Sequence, residues 1–174
     1  MFSPRFLALI AVLVFSLLVW LYVREFAVLS NTLEIKPLVI GSMLVMAMLV
    51  SALLWRWRDR FTPLGRHFPE VALILVFSVL FAPLFGSLLN RSLGKDETQS
   101  FDFVAETAYF ASGYGILKGE KLQPTGWRLT VREAGRTRRL KYKSQPYYPL
   151  TKPGEKILLP LRLGLLGARV VQLR

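Results

Sequence analysis

Three apolar stretches constrain this chain more than any other feature. Phe6–Val23, Leu38–Trp55 and Val71–Leu89 contain no Asp, Glu, Lys, Arg or His. A helix needs about 17–25 apolar residues to cross the hydrocarbon of a bilayer, and the shortest of these runs has eighteen. In lipid each run would satisfy its backbone polar groups internally, as helices do. The pattern therefore predicts three transmembrane helices, over 6–23, 38–55 and 71–89, within a membrane domain of residues 1–90. A secretory signal peptide is the rival reading of the first run. Its apolar region would be overlong, and Arg24-Glu25-Phe26 stands where an A-x-A cleavage site is expected.

The segment between the second and third runs sets the threading. Arg56, Arg58, Arg60 and Arg66 face only Asp59 and Glu70 there, whereas the 24–36 connection balances Arg24 and Lys36 against Glu25 and Glu34. The positive-inside rule then puts Arg5 and the 56–70 loop in the cytoplasm, and the 24–36 connection and the C-terminal portion outside. The basic C-terminal portion does not reverse this, because it exceeds the roughly 60 residues within which loop charge steers insertion. A multi-pass protein of the cell (inner) membrane is expected. Ala47 and Ser51, one turn apart, would permit close helix contact, although apolar helices carry such pairs by composition alone. Pro83 and Gly86 are expected to bend the exit of the third helix.

Charge is distributed unevenly, net +3 over residues 1–90 and net +9 over residues 91–174, so a membrane part is joined to a basic polar part. Residues 91–100 read as a polar linker. Beyond it the apolar runs give way to alternation. Phe101 to Ser112 partly alternates, and Gly113, Gly115 and Gly119 follow as turn signals. In Trp127–Arg132, Trp127, Leu129 and Val131 share one face and Arg128, Thr130 and Arg132 the other. Glu133-Ala134-Gly135-Arg136 would turn this into a second strand, Thr137–Lys143. Strands are also expected at 157–163, where Pro160 suggests a sheet edge, and at 168–173. The expected fold is an α+β membrane protein: three transmembrane helices followed by a small antiparallel β-barrel or sandwich of about five strands, residues 101–174. In layout alone this resembles the NfeD-like membrane proteins, whose barrel is an OB-fold; that resemblance carries no motif, and implies no activity or site here.

The residue inventory removes several chemistries. The chain has no cysteine and a single histidine, His67 in the arginine loop. Ser-His-Asp and Cys-His centres, and His- or Cys-ligated metals, therefore cannot be built in the C-terminal part. A metal held by carboxylates alone would have to use Asp96, Glu97, Asp102 and Glu106, in a cationic field that disfavours it. No cofactor is expected. A serine activated by a lysine survives on paper, as Ser112 with Lys118, or Ser144 with Lys141 or Lys143. A lysine acting as a base must be desolvated, and these lie among glycines or other cations, as solvated surface residues do. Uncharged spans suit an accessory subunit better than a transporter.

The positive signal is cationic. Arg128, Arg132, Arg139, Lys141 and Lys143 would emerge on the polar side of one hairpin, a stripe that attracts polyanions; a solvated face kept soluble by charge reads equally well. Leu165 and Leu166, between two glycines, would form an apolar tip against lipid or a partner, or a buried turn. Nucleic acid is disfavoured, since stacking aromatics are few. The expected role is a non-catalytic multi-pass membrane subunit or adaptor. Its basic extracytoplasmic β domain would contact membrane lipid, a membrane or envelope protein, or an anionic envelope component, in an oligomeric state left open. A membrane immunity protein against an envelope-acting toxin is the alternative, and a Ser/Lys membrane hydrolase the next. A reporter that works only outside the cytoplasm should be active when fused after residue 173 and silent when inserted in the 56–70 loop; the opposite pattern would invert the threading.

Overall fold

The computed structural model describes residues 3–110, 124–143 and 145–173. Helix α1 spans Pro4–Ser30, α2 Ile35–Arg56 and α3 Leu64–Ser92, with a short 3-10 turn at Arg58–Phe61. All three are long and apolar enough to cross a membrane. Their outer faces carry side chains such as Leu13, Met48 and Val76, each 60% exposed or more, an arrangement that water would penalise. Aromatic edges join α1 to α3, where Phe15 and Tyr22 meet Phe77 and Phe81. Between α2 and α3 the close approach is at Gly86, where a Cβ would come 2.7 Å from Ser42 Cβ. Ser51, of the expected small pair, is exposed.

The helices run past the expected spans. α1 continues through Arg24 and Glu25, so the connection to α2 is only residues 31–34. Charge does not end the helix because Glu25 is buried, accepting a 2.7 Å hydrogen bond from Ser87 Oγ and pairing with Arg91 at 3.0 Å. The 91–100 linker is also corrected: α3 ends at Ser92 and β1 begins at Lys95, leaving Leu93 and Gly94 between them. Lys95–Ser100 looks like a linker because its side chains are mostly exposed, yet its backbone pairs along β4.

Five antiparallel strands form a curled half-barrel sheet in the order β3-β2-β1-β4-β5: β1 Lys95–Tyr109, β2 Gly126–Glu133, β3 Arg136–Tyr142, β4 Lys156–Leu163 and β5 Arg169–Val171. β1 pairs first with β4 and then, from Asp102, with β2. The register shifts between Phe103 and Ala105, and such a bulge bends a strand and increases its twist. Ala134 and Gly135 both have positive φ in the β2–β3 turn, the requirement of a two-residue type I′ hairpin. Pro160 is not on a sheet edge, since β4 lies between β1 and β5. Its carbonyl accepts from Gln172 N–H, so its missing donor falls on that same side, beyond the three residues of β5, and costs no ladder bond.

The concave face buries Phe101, Phe103, Leu129, Val131, Leu140, Ile157, Leu159 and Leu161. Glu106 also points inward, opposite Leu129. It accepts from the Tyr142 hydroxyl and from the Tyr147 and Tyr148 N–H groups, fastening the 147–148 segment over one end. Burial, and then the adjoining Glu106 carboxylate, hold the Tyr142 phenol well above the ordinary tyrosine value.

The gap between β3 and β5 is filled by the α1–α2 connection. Asn31 Nδ2 and Oδ1 bond the Lys141 carbonyl and N–H, each at 2.8 Å. On the other side Thr32 bridges Val170, and Leu33 N–H donates to the Arg169 carbonyl at 2.9 Å. Leu33 itself enters the sheet's core, 2% exposed. Leu33→Ala should therefore destabilise the β module by about 2–5 kcal/mol. Leu150→Ala, at a side chain 93% exposed, should change it by less than about 0.5 kcal/mol. Thermal unfolding of the detergent-solubilised chain, followed by tryptophan fluorescence, reads both.

Candidate interaction surface

The β2–β3 register decides which cations share a face. Arg128 stands opposite Lys141, Thr130 opposite Arg139 and Arg132 opposite Thr137. These are the positions out of phase with buried Leu129, Val131 and Leu140, so Arg128, Arg132, Arg139 and Lys141 lie together on the convex face. Lys143 is exposed just past β3. Asp102, opposite Arg132 on β1, is the acidic neighbour on this face. Among the described residues none of these five cations forms an ion pair; Lys141 Nζ lies 5.9 Å from the Tyr109 ring centroid. Placing Arg128 directly opposite Lys141 is an unfavourable cross-strand pairing, which an external anion would relieve.

β3 is an edge strand and the connection covers it only in part. At Lys141 the edge is clasped by Asn31. Alternation turns the backbone groups of Arg139 and Thr137 the same way, towards a pocket of about 380 Å³ lined by Ser30, Thr32, Leu33 and Ile35 as well as by β3. Basic residues on such an edge also discourage unwanted strand pairing.

Leu165 and Leu166 are not part of this surface. They sit in the β4–β5 turn, near the opposite edge of the sheet, and are 54% and 49% exposed. The buried Asn90 side chain of α3 holds that turn, donating to the Ala168 carbonyl at 2.9 Å and accepting from Leu166 N–H at 3.0 Å. A Cβ on Gly164 would come 2.2 Å from Asn90, so only glycine fits there. Leu166 overhangs an apolar groove of about 490 Å³ between α2 and α3. Ser112, Lys118 and Ser144 of the Ser/Lys alternative lie outside the described residues.

A polar knot away from the cationic face ties the strands together. Arg169 joins four segments: its Nε donates to Glu34 Oε1 at 2.9 Å, and its Nη1 to Gln99 Oε1 at 2.7 Å and Glu133 Oε1 at 2.6 Å. Burial alone would raise the Glu133 carboxyl, but hydrogen bonds from Arg169 and Gln99, with the charge of Arg169, hold it below its ordinary value. A lone arginine inside the apolar 168–171 run was the available signal for this knot; its three partners are distant in sequence.

Comparison of the chain with family models, with curated proteins and with solved structures finds no match in any of the three.

A carboxylate with a depressed folded pKa contributes stability above its unfolded value and loses it as pH falls through the folded value. For Glu133 the unfolded reference is 4.5, so the β module should lose stability on acidification below about pH 4.5. Unfolding temperatures across a pH series should fall less steeply for Glu133→Gln than for the parent. Parallel curves would show that the Arg169 knot does not control this window.

Proposed function

We propose that the protein is a non-catalytic, multi-pass subunit or adaptor of the cell membrane. Its β half-barrel presents a cationic face to a partner protein or an anionic envelope component. The observation that carries this reading is the arrangement of Arg128, Arg132, Arg139 and Lys141 on one convex face, unpaired among the described residues and with two cations directly opposed. A face kept only for solubility gains nothing from that opposition, whereas a face that meets an anion recovers its cost on binding. The helices anchor the module. The 31–34 connection and the end of α3 lie on its side, and the arginine turn is at the far ends of α2 and α3. With the positive-inside rule this supports an extracytoplasmic β module.

Four simultaneous neutralisations, Arg128→Gln, Arg132→Gln, Arg139→Gln and Lys141→Gln, test the reading. Mild-detergent extraction should recover a stoichiometric acidic partner, or bound anionic polymer, with the parent chain. The variant should bind it roughly a thousand-fold more weakly, at about 1 kcal/mol per cation near an anionic surface. The variant's unfolding temperature should stay close to the parent's. A solitary parent monomer indifferent to anionic vesicles and envelope polymer would overturn the proposal.

A further inference from the structure

A second pocket, of about 420 Å³, lies where the helices meet the sheet, lined by Ala27 and Val28 of α1, Arg91 at the end of α3, Asp96 of β1, Arg162 of β4 and the segment after β5. Two guanidinium side chains line it, Arg91 and Arg162, and the Nε of each is shielded from solvent without a hydrogen-bond partner. Native interiors rarely leave such groups unmet. Both side chains are held. Arg91 is fixed by its 3.0 Å bond to buried Glu25. Arg162 lies across Gly94, where a Cβ would come 2.8 Å from its Nε.

We propose that this pocket binds the phosphodiester of a zwitterionic phospholipid headgroup, Arg91 and Arg162 taking phosphate oxygens and Asp96 the headgroup amine. Planar guanidinium forks match phosphate oxygens in geometry. The charge balance selects the class of phosphate. Glu25 answers Arg91, and Asp96 stands opposite Arg162 in the β1–β4 ladder without pairing with it. Over these four residues the formal charge is zero, a poor setting for the near-dianion of free phosphate but one that takes up a zwitterion without adding net charge. Asp96 Oδ1 is used by Gln172 at 3.2 Å, which leaves Oδ2 for an ammonium. One turn before Ala27 on α1, exposed Val23 offers apolar surface for an acyl chain.

The inference rests on the membrane reading of the three helices, and an alkaline carbonate wash separates the two. Release of the chain into the supernatant sinks both, whereas a chain that stays with the membrane but holds no lipid sinks this one alone. Native mass spectrometry of the full chain, after exchange through lipid-free detergent, should show one retained phosphatidylethanolamine. Arg162→Gln should lower its occupancy roughly ten-fold or more, and Lys152→Gln, in the exposed turn before β4, should leave it unchanged. Asp96→Asn keeps both arginines and should shift retention towards phosphatidylglycerol, which decides the matter even if Arg162→Gln fails to fold. Equal retention of both lipids by the parent, unchanged occupancy in Arg162→Gln, or stabilisation by inorganic phosphate equal to that by a short-chain phosphatidylethanolamine would overturn it.

Discussion

Residues 31–34 are the stave on which the rest of the structure depends. Five strands leave a sheet with two raw edges, and unpaired backbone groups at such edges are costly when buried and hazardous when exposed. Here the chain closes the gap with its own helical hairpin. Asn31 supplies the donor and acceptor that the β3 edge lacks at Lys141, while the backbone of 31–33 pairs with β5. Leu33 adds the apolar contact. The β module thus completes itself only with a segment from between α1 and α2.

That dependence makes the junction a rigid joint. Glu34 at the start of α2 reaches Arg169, which reaches Gln99 and Glu133; Glu25 of α1 reaches Ser87 and Arg91 of α3; Asn90 grips the β4–β5 turn. Each of these contacts joins polar groups from different elements, and removing one partner leaves the other unsatisfied, at about 1–3 kcal/mol. An 80-residue sheet is marginal by itself; these cross-links let the helices share its stability. The convex cationic face and the interfacial pocket are both held at defined positions relative to the helices as a result.

The helices and most strands were legible in the sequence because their signals are local. Uncharged runs of eighteen or more residues have few alternatives, and Trp127–Arg132 alternates cleanly enough to show its two faces. The misreadings share a cause. Lys95–Ser100 is polar because its side chains are exposed, yet its backbone pairs along β4, and composition reports only the side chains. Glu25 sits past the apolar run, so a span drawn by charge stops short of it; what keeps it helical is Ser87 and Arg91, more than sixty residues away. Pro160 pointed to an edge by a sound rule, but the short β5 leaves its one missing donor where no partner needs it.

The amino-acid sequence by itself determined that three helices of membrane-spanning length precede a basic antiparallel β unit without cysteine or histidine, since hydrophobic period and residue inventory are properties of neighbours along the chain. Only the tertiary structure decided that the connection between α1 and α2 belongs to the sheet, that Arg169 ties four segments, and that Arg91 and Arg162 face one pocket. Those pairings join residues 36 to 138 positions apart, and no local pattern encodes which distant side chain will answer a given buried charge.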